Sequence, residues 1–210
     1  MSLPQGINFR ATLAYVTDGA NEEMENDSGG GGNANYPHTT ANGIVVGWET
    51  TSSTYQVRDR NAGNDRRLAG INFNGTAGKF DYRIDVPSAG NYDIIVAMGD
   101  PSYAQTVDCE IFDGASSLGV IISGSTGAAN SFKDQRNSTW TAANFFANTS
   151  PLTITLTGTI LRFRFGSAGG TTGQVAHIKV AASAGAGGLP FFMQSDLLNG
   201  GLQSLAGGFQ

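Results

Sequence analysis

The chain has a single cysteine, Cys109, so no disulfide can form within it. It has no Cys-x-x-Cys pair and only two histidines, His38 and His177, which removes the usual zinc-ligand sets. Charge is also scarce: 14% of the residues are Asp, Glu, Lys or Arg, and the twelve basic ones are scattered. With a net charge of −5 and a pI near 4.8, there is no Lys/Arg patch of the kind that counterion release from nucleic acid requires. An anionic membrane is disfavoured for the same reason. No apolar run approaches the ~20 residues of a bilayer span. The N-terminal MSLPQGINFR lacks the basic and apolar segments of a signal peptide, which predicts manufacture in the cytosol.

What is abundant is glycine (30 residues), with serine, threonine and asparagine beside it. That is the composition of a loop-rich β protein whose solubility rests on neutral polar groups. A chain of 210 residues is long enough to bury roughly 70% of its unfolded surface and needs no staple to fold. Period-2 alternation is clearest in FDYRIDV at 80–86 and YDIIVAM at 92–98, joined by Pro-Ser-Ala-Gly, which predicts a β-hairpin. Leu152–Thr157 and Ile160–Phe165, joined at Gly158, predict a second. Further strands are expected at Ile7–Phe9, Ile44–Trp48, Ile71–Phe73, Thr106–Phe112, Leu118–Ile122 and Val175–Val180. Nine or ten short strands without helical periodicity between them predict an all-β, antiparallel jelly-roll β-sandwich. Cys109, in register with Val107 and Ile111, is expected to face its core.

Three stretches depart from this pattern. Residues 17–43 form a polar insertion, and residues 123–150 form a second that carries Trp140, Phe145 and Phe146. Residues 182–189 are a Gly/Ala linker, which places the sandwich at 1–181 and an apolar tail at 190–210.

The signs of catalysis are few. Asn26-Asp27-Ser28-Gly29-Gly30 has the look of a serine-nucleophile box, but His38 and His177 both follow Ser28, and residue 174 is Gln where an esterase of the Ser-Gly-Asn-His kind would have Asp. The Gly29–Gly32 run lacks the strand, lysine and helix of a phosphate loop. His177 alternates with Ile178 and Val180 and is expected to face outward. Glu22, Glu23, Glu25 and Asp27 read as a solvated acidic loop; a structural Ca²⁺ would need a ligand order they do not have. No cofactor is implied.

A combination of aromatic and planar polar groups is better represented. Trp48, Tyr55, Tyr103 and Trp140 are placed at strand ends or in loops, near Arg58-Asp59-Arg60 and Asp65-Arg66-Arg67. Aromatic faces stack on the C–H surfaces of sugars while planar groups fix hydroxyls. Candidate glycan ligands are therefore Asp100, Tyr103, Trp140, Trp48, Arg58 and Arg60. The alternative is that the tryptophans plug the ends of a sandwich and the Arg/Asp pairs brace loops.

Ile-Asn-Phe-Arg at 7–10, Gly-Ile-Val-Val-Gly-Trp at 43–48, Arg-Asp-Arg at 58–60, Phe80–Tyr92, Met-Gly-Asp at 98–100, Leu161–Gly166 and Ala176–Val180 occur in an order that resembles the malectin-like, galactose-binding-like β-sandwich. The resemblance spans about residues 5–181. It implies a carbohydrate-binding fold and a sugar-binding loop beginning at Gly99-Asp100, with catalysis left to a separate domain. Arg10 stands where that family usually has Gly.

Two functions follow. One is a non-enzymatic virion structural or attachment protein of a phage, made in the host cytoplasm and anchored to other structural proteins or to copies of itself through its tail. The other is a free glycan-binding module, extracellular by a non-classical route and recognising cell-surface or host glycan. The tail favours the first: Leu198, Leu202, Leu205 and Phe209 repeat at helical spacing, and Phe191, Phe192 and Leu197 add apolar surface for a partner.

Overall fold

The computed structural model describes residues 3–9, 22–25, 35–49, 54–60, 64–76, 78–166 and 173–183. Its strands are β1 (Gln5–Phe9), β2 (Glu22–Glu25), β3 (His38–Thr39), β4 (Val45–Trp48), β5 (Tyr55–Asp59), β6 (Gly70–Asn74), β7 (Phe80–Asp85) and β8 (Gly90–Asp100). There follow β9 (Thr106–Asp113), β10 (Ser116–Ser125), β11 (Ser131–Lys133), β12 (Thr139–Thr141), β13 (Leu152–Leu156), β14 (Ile160–Phe165) and β15 (Val175–Ala182). A 3-10 turn at Arg66–Leu68 and a four-residue helix α1 (Phe145–Asn148) interrupt them.

The strands form two sheets. One runs β12-β11-β8-β15-β1-β2, with β13 also on β8 and β6 bridging β15 to β5; the other runs β10-β9-β14-β7-β4-β3. The ladders are antiparallel, as expected, except that β2 lies parallel to β1. Neither expected hairpin forms: β7 pairs with β14 in one sheet and β8 with β13 in the other, so the turns at 86–89 and 157–159 carry the chain across from sheet to sheet, a pairing that alternation alone does not encode. Alternation does explain the burial: Phe80, Tyr82 and Ile84 point inward from β7, and Leu161, Phe163 and Phe165 from β14. Cys109 faces the core, where burial, then Glu110 and Asp108, pushes its thiol well above the ordinary 9.0.

Four further expectations are corrected. The strands number fifteen among the described residues, because the two insertions contribute β2, β3, β11 and β12, and because Tyr55–Asp59, not expected as a strand, forms β5. Glu22–Glu25 is not a solvated loop in its backbone but pairs with Gly6–Phe9, while Asp27 and Ser28 lie outside the described residues. β15 continues the ladder to Ala182, one residue past the expected end of the sandwich at 181, while residues 184–210, which hold most of the expected linker and the whole tail, also lie outside the described residues. Trp48 and Tyr55 are not at a rim. Trp48 is 1% exposed and centred among Phe9, Tyr55, Phe80, Tyr82 and Phe165 at centroid distances of 4.8–6.0 Å. Its parity on β4 aims it inward with Val46, and such aromatic pairs add about 0.5–1.5 kcal/mol each beyond area burial.

The first sheet is covered on both faces. Ile94, Val96 and Met98 of β8 enter the main core, while Ile95 and Ala97 on the opposite face join Leu68, Ile71, Phe132, Ala142, Phe145 and Ala176 in a second core. Residues of the 3-10 turn and of α1 are the lid of that second core.

His177 lies under the same lid. Alternation gave its face correctly, but that face is covered, so the ring is fully buried; Nδ1 donates to Asn8 Oδ1 at 2.8 Å, and the ring meets Phe146 edge-on at 5.7 Å. Burial, then Arg67 and Lys179, hold His177 well below its ordinary 6.5 against the opposing pull of Asp65. The folded protein thus keeps the ring neutral where the unfolded chain's histidine takes up a proton, and acid favours unfolding. Stability should be complete above about pH 6.5 and fall as pH drops below it. His177→Gln, which retains a donor for Asn8 but cannot be protonated, should flatten thermal stability over that range; an unchanged slope would assign the acid loss elsewhere.

Ile84→Asp places an unpaired charge at a fully buried site. The penalty of several kcal/mol is comparable with the whole stability of about 5–15 kcal/mol. This variant should show no cooperative thermal melt, and a normal melt would invert the assigned faces of β7.

Candidate functional site

The Met-Gly-Asp end of β8 is a strand terminus rather than the start of a loop. Gly99 is paired with Phe132 of β11, and its N–H donates to the Gln174 carbonyl at 2.9 Å. A Cβ at Gly99 would collide with the Ser131 carbonyl oxygen, so glycine lets the two strands close here. Pro101, which has no N–H, ends the ladder.

Asp100, expected on a solvent-facing loop, is instead 1% exposed. Counting by twos from Ile94 through Val96 and Met98 brings it to the inward face. Its Oδ1 accepts the Ser102 N–H at 2.7 Å, and Oδ2 lies 3.5 Å from Arg60 Nη2. The Arg60 guanidinium in turn lies over the Tyr103 ring, 5.4 Å from its centroid. Asp100 therefore fixes Arg60, and Arg60 supports Tyr103, which is 57% exposed.

The Asp100 carbonyl accepts the Asn130 N–H at 3.1 Å, joining this group to a cleft of about 250 Å³. Asn64, Asp65, Asn130 and Phe146 line it, with Ala142, Ala143 and Ala147 between them. Asn130 has φ 58°, a conformation rare for a residue with a side chain, and its Oδ1 accepts from Asn64 Nδ2 at 2.7 Å. Asn64 also donates to the Leu68 carbonyl at 3.2 Å. Asp65 caps the 3-10 turn: it accepts the Arg67 N–H and Nε at 3.0 and 2.9 Å and Nη2 at 2.8 Å. Desolvation pushes the Asp65 carboxyl up, but the hydrogen bonds and charge of Arg67 outweigh it and hold the group below its ordinary 3.8. The Arg67 guanidinium lies 3.5 Å over the Phe146 ring.

The remaining expected site residues are placed elsewhere. Trp140 is half-buried against the second core, and its Nε1 donates to Asp134 Oδ2 at 2.9 Å. Asp134, buried, also accepts from the Arg136 and Ser138 N–H groups and from Thr149 Oγ1, so Trp140 belongs to the brace of its loop. Arg58 packs over Phe73 and donates to Gln56 Oε1 at 2.6 Å. Trp48 is in the main core. Phe191, Phe192, Leu197, Leu198, Leu202, Leu205 and Phe209 lie outside the described residues.

Asn64, Asn130 and Phe146 were not singled out as ligands in the sequence. An Asn before Ser in a Gly/Ala-rich stretch does signal tolerance of a left-handed conformation, but no spacing rule joins residue 130 to residue 64. The chemistry on offer is hydrogen bonding: two amides, a carboxylate and an aromatic edge, with no nucleophile–base pair among them. Among the described residues no group of three or more His, Cys, Asp or Glu is placed to hold a metal ion.

Among solved structures the chain is similar to a family 35 carbohydrate-binding module from Clostridium thermocellum, at 15% identity and TM-score 0.41 over 68% of this chain and 94% of that one. It is similar to CBM35 from Paenibacillus barcinonensis at 11% identity and TM-score 0.37, over 66% and 93% of the two chains. A third is TmCBM61 in complex with β-1,4-galactotriose, at 10% identity and TM-score 0.31, over 67% and 88%. No family model matches the chain, and no curated protein matches it.

Because Asp100 is buried, Asp100→Ala would strand the Arg60 guanidinium and the Ser102 N–H. It should lower unfolding free energy by about 1–3 kcal/mol in a denaturant titration. An unchanged midpoint would show that the Arg60–Asp100 pair does not hold this end of the sheet.

Proposed function

We propose that this chain is a non-catalytic glycan-binding module whose site is the cleft between Asn64-Asp65 and Asn130–Phe146, with Tyr103 at its rim. The observation that carries the reading is the company of two amides, a carboxylate and an aromatic side chain in one open cleft, linked through Asn130, Asp100 and Arg60 to an exposed tyrosine ring. A cleft of about 250 Å³ that is open to solvent suits a saccharide unit held by hydroxyl contacts.

The electrostatics favour an uncharged ligand. Asp65 is neutralised by Arg67 and Asp100 by Arg60, so neither carboxylate awaits an ionic partner. Among the described residues the buried Arg60 Nε has no hydrogen-bond partner, so this guanidinium is held by Asp100 through Nη2 and by the Tyr103 ring. The place in a phage virion suggested by the sequence rests on residues 190–210, and nothing in the sandwich favours it.

Screening the full chain on a glycan array should find saturable binding to neutral glycans. In calorimetry with the best binder, Asn64→Ala and Tyr103→Ala should each weaken affinity by about tenfold or more, or ~1.4 kcal/mol. Tyr103→Ala should leave the melting temperature unchanged. Unaltered affinity in both variants would move the site, and absence of binding across the array would overturn the reading.

A further inference from the structure

The apolar part of the cleft is made for a small group rather than for the face of a sugar ring. Phe146 has the Arg67 guanidinium 3.5 Å over its centroid, and the Phe145 and His177 rings meet it at 5.0 and 5.7 Å with interplanar angles of 76° and 81°. The face that Arg67 covers is closed to stacking, and the ring is committed to the protein. The other apolar lining is methyl groups, from Ala142, Ala143 and Ala147. Ala143 and Ala147 are exposed, the first in the turn where the Asn144 N–H donates to the Thr141 carbonyl at 2.9 Å, the second on α1.

The polar part has one donor and one acceptor to spare. Asn64 Nδ2 gives its hydrogens to the Leu68 carbonyl and to Asn130 Oδ1. Asn130 Nδ2 makes no hydrogen bond among the described residues, so it is open as a donor. Asp65 Oδ2 accepts from Arg67 Nη2 alone among the described residues and keeps a lone pair. The donor and the methyls are also fixed relative to one another, because the Asn130 carbonyl accepts the Ala142 N–H at 2.9 Å.

A donor, an acceptor and a seat of methyl groups are the complement of a secondary acetamide, whose carbonyl accepts, whose N–H donates and whose methyl is apolar. A sugar hydroxyl donates and accepts through one oxygen and has no methyl to bury. We propose that the cleft selects N-acetylated amino sugars, with Asn130 Nδ2 donating to the acetamide carbonyl, Asp65 accepting its N–H and the alanines holding its methyl. This selectivity rests on the glycan-binding reading above and narrows it to one ligand class.

The test titrates the full chain with N-acetylglucosamine and N-acetylgalactosamine and with their parents, glucose and galactose, by calorimetry and saturation-transfer NMR. Each acetamido sugar should bind at least about tenfold more tightly than its parent, since a site built to hydrogen-bond a group rejects the analogue lacking it. The acetyl methyl should take up the strongest saturation. Asn130→Asp keeps an acceptor for Asn64 and a residue type that tolerates the left-handed conformation, and should abolish the preference. Ala143→Leu, at an exposed position, should abolish it at an unchanged melting temperature, which keeps the test decisive even if Asn130→Asp does not fold. Retained preference in Ala143→Leu, or equal affinity for acetamido and parent sugars, would overturn the selectivity while leaving a glycan site in place. An acetyl-lysine peptide that binds as tightly would overturn the choice of a saccharide. Absence of binding by all the sugars would overturn the inference together with the reading it rests on.

Discussion

β8 is apolar on both faces and paired along both edges, and no strand can be so without two separate layers to cover it. Ile94, Val96 and Met98 use the opposite sheet for one layer, as in any sandwich. Ile95 and Ala97 demand a second, built from the turn at 66–68, from Phe132 and from Phe145 of α1. Full burial of each Leu, Ile or Phe in that layer is worth about 1.5–3 kcal/mol. The long segment between β10 and β13 is therefore a lid with its own core, held by the hydrogen bonds that converge on Asp134 and by Gln135, whose Oε1 accepts the Val96 N–H at 3.0 Å.

The cleft is a by-product of that covering. It opens where the 3-10 turn meets the lid, so its walls are ends of elements whose positions are fixed by the second core. Pre-organisation follows: Asn130 is held in a left-handed conformation by backbone bonds to Asp100 and Ala142 and by the Asn64 side chain. A ligand meeting such a site loses less binding energy to ordering of the protein. The outer face of the second sheet offers a contrast, because Arg164 forms a bidentate pair with Asp81 at 2.8 Å, and Arg83 and Arg162 share Glu49. Its charges are occupied with one another along neighbouring strands.

How far the sequence could be read depended on what period 2 encodes. It fixes which face a residue takes, so β7, β8, β13 and β14 were legible, as was the inward Cys109. It does not say whether the other face is covered. His177 was assigned to the correct face and to the wrong environment, since the lid that buries it is far away in sequence. The run Ile94-Ile95-Val96-Ala97 did carry a signal, because uninterrupted apolar residues imply burial on both sides. Asp100 shows the opposite lapse: the same count that buries Met98 buries Asp100, but a Gly-Asp-Pro sequence suggests a loop. The cleft itself was beyond reach, since Asn64 and Asn130 meet only through the packing of segments far apart in the chain.

The central claim is that saccharide recognition occurs where the lid of the second core meets the 64–67 turn. It is tested most directly by titrating the isotopically labelled full chain with a neutral oligosaccharide and following backbone and side-chain amide resonances. The account predicts saturable shifts concentrated at Asn64, Asp65, Asn130, Phe146 and Tyr103, while β7 and β14 of the other sheet stay unperturbed. Shifts centred on Asp81, Arg162 and Arg164, with none at Asn64 or Asn130, would contradict it.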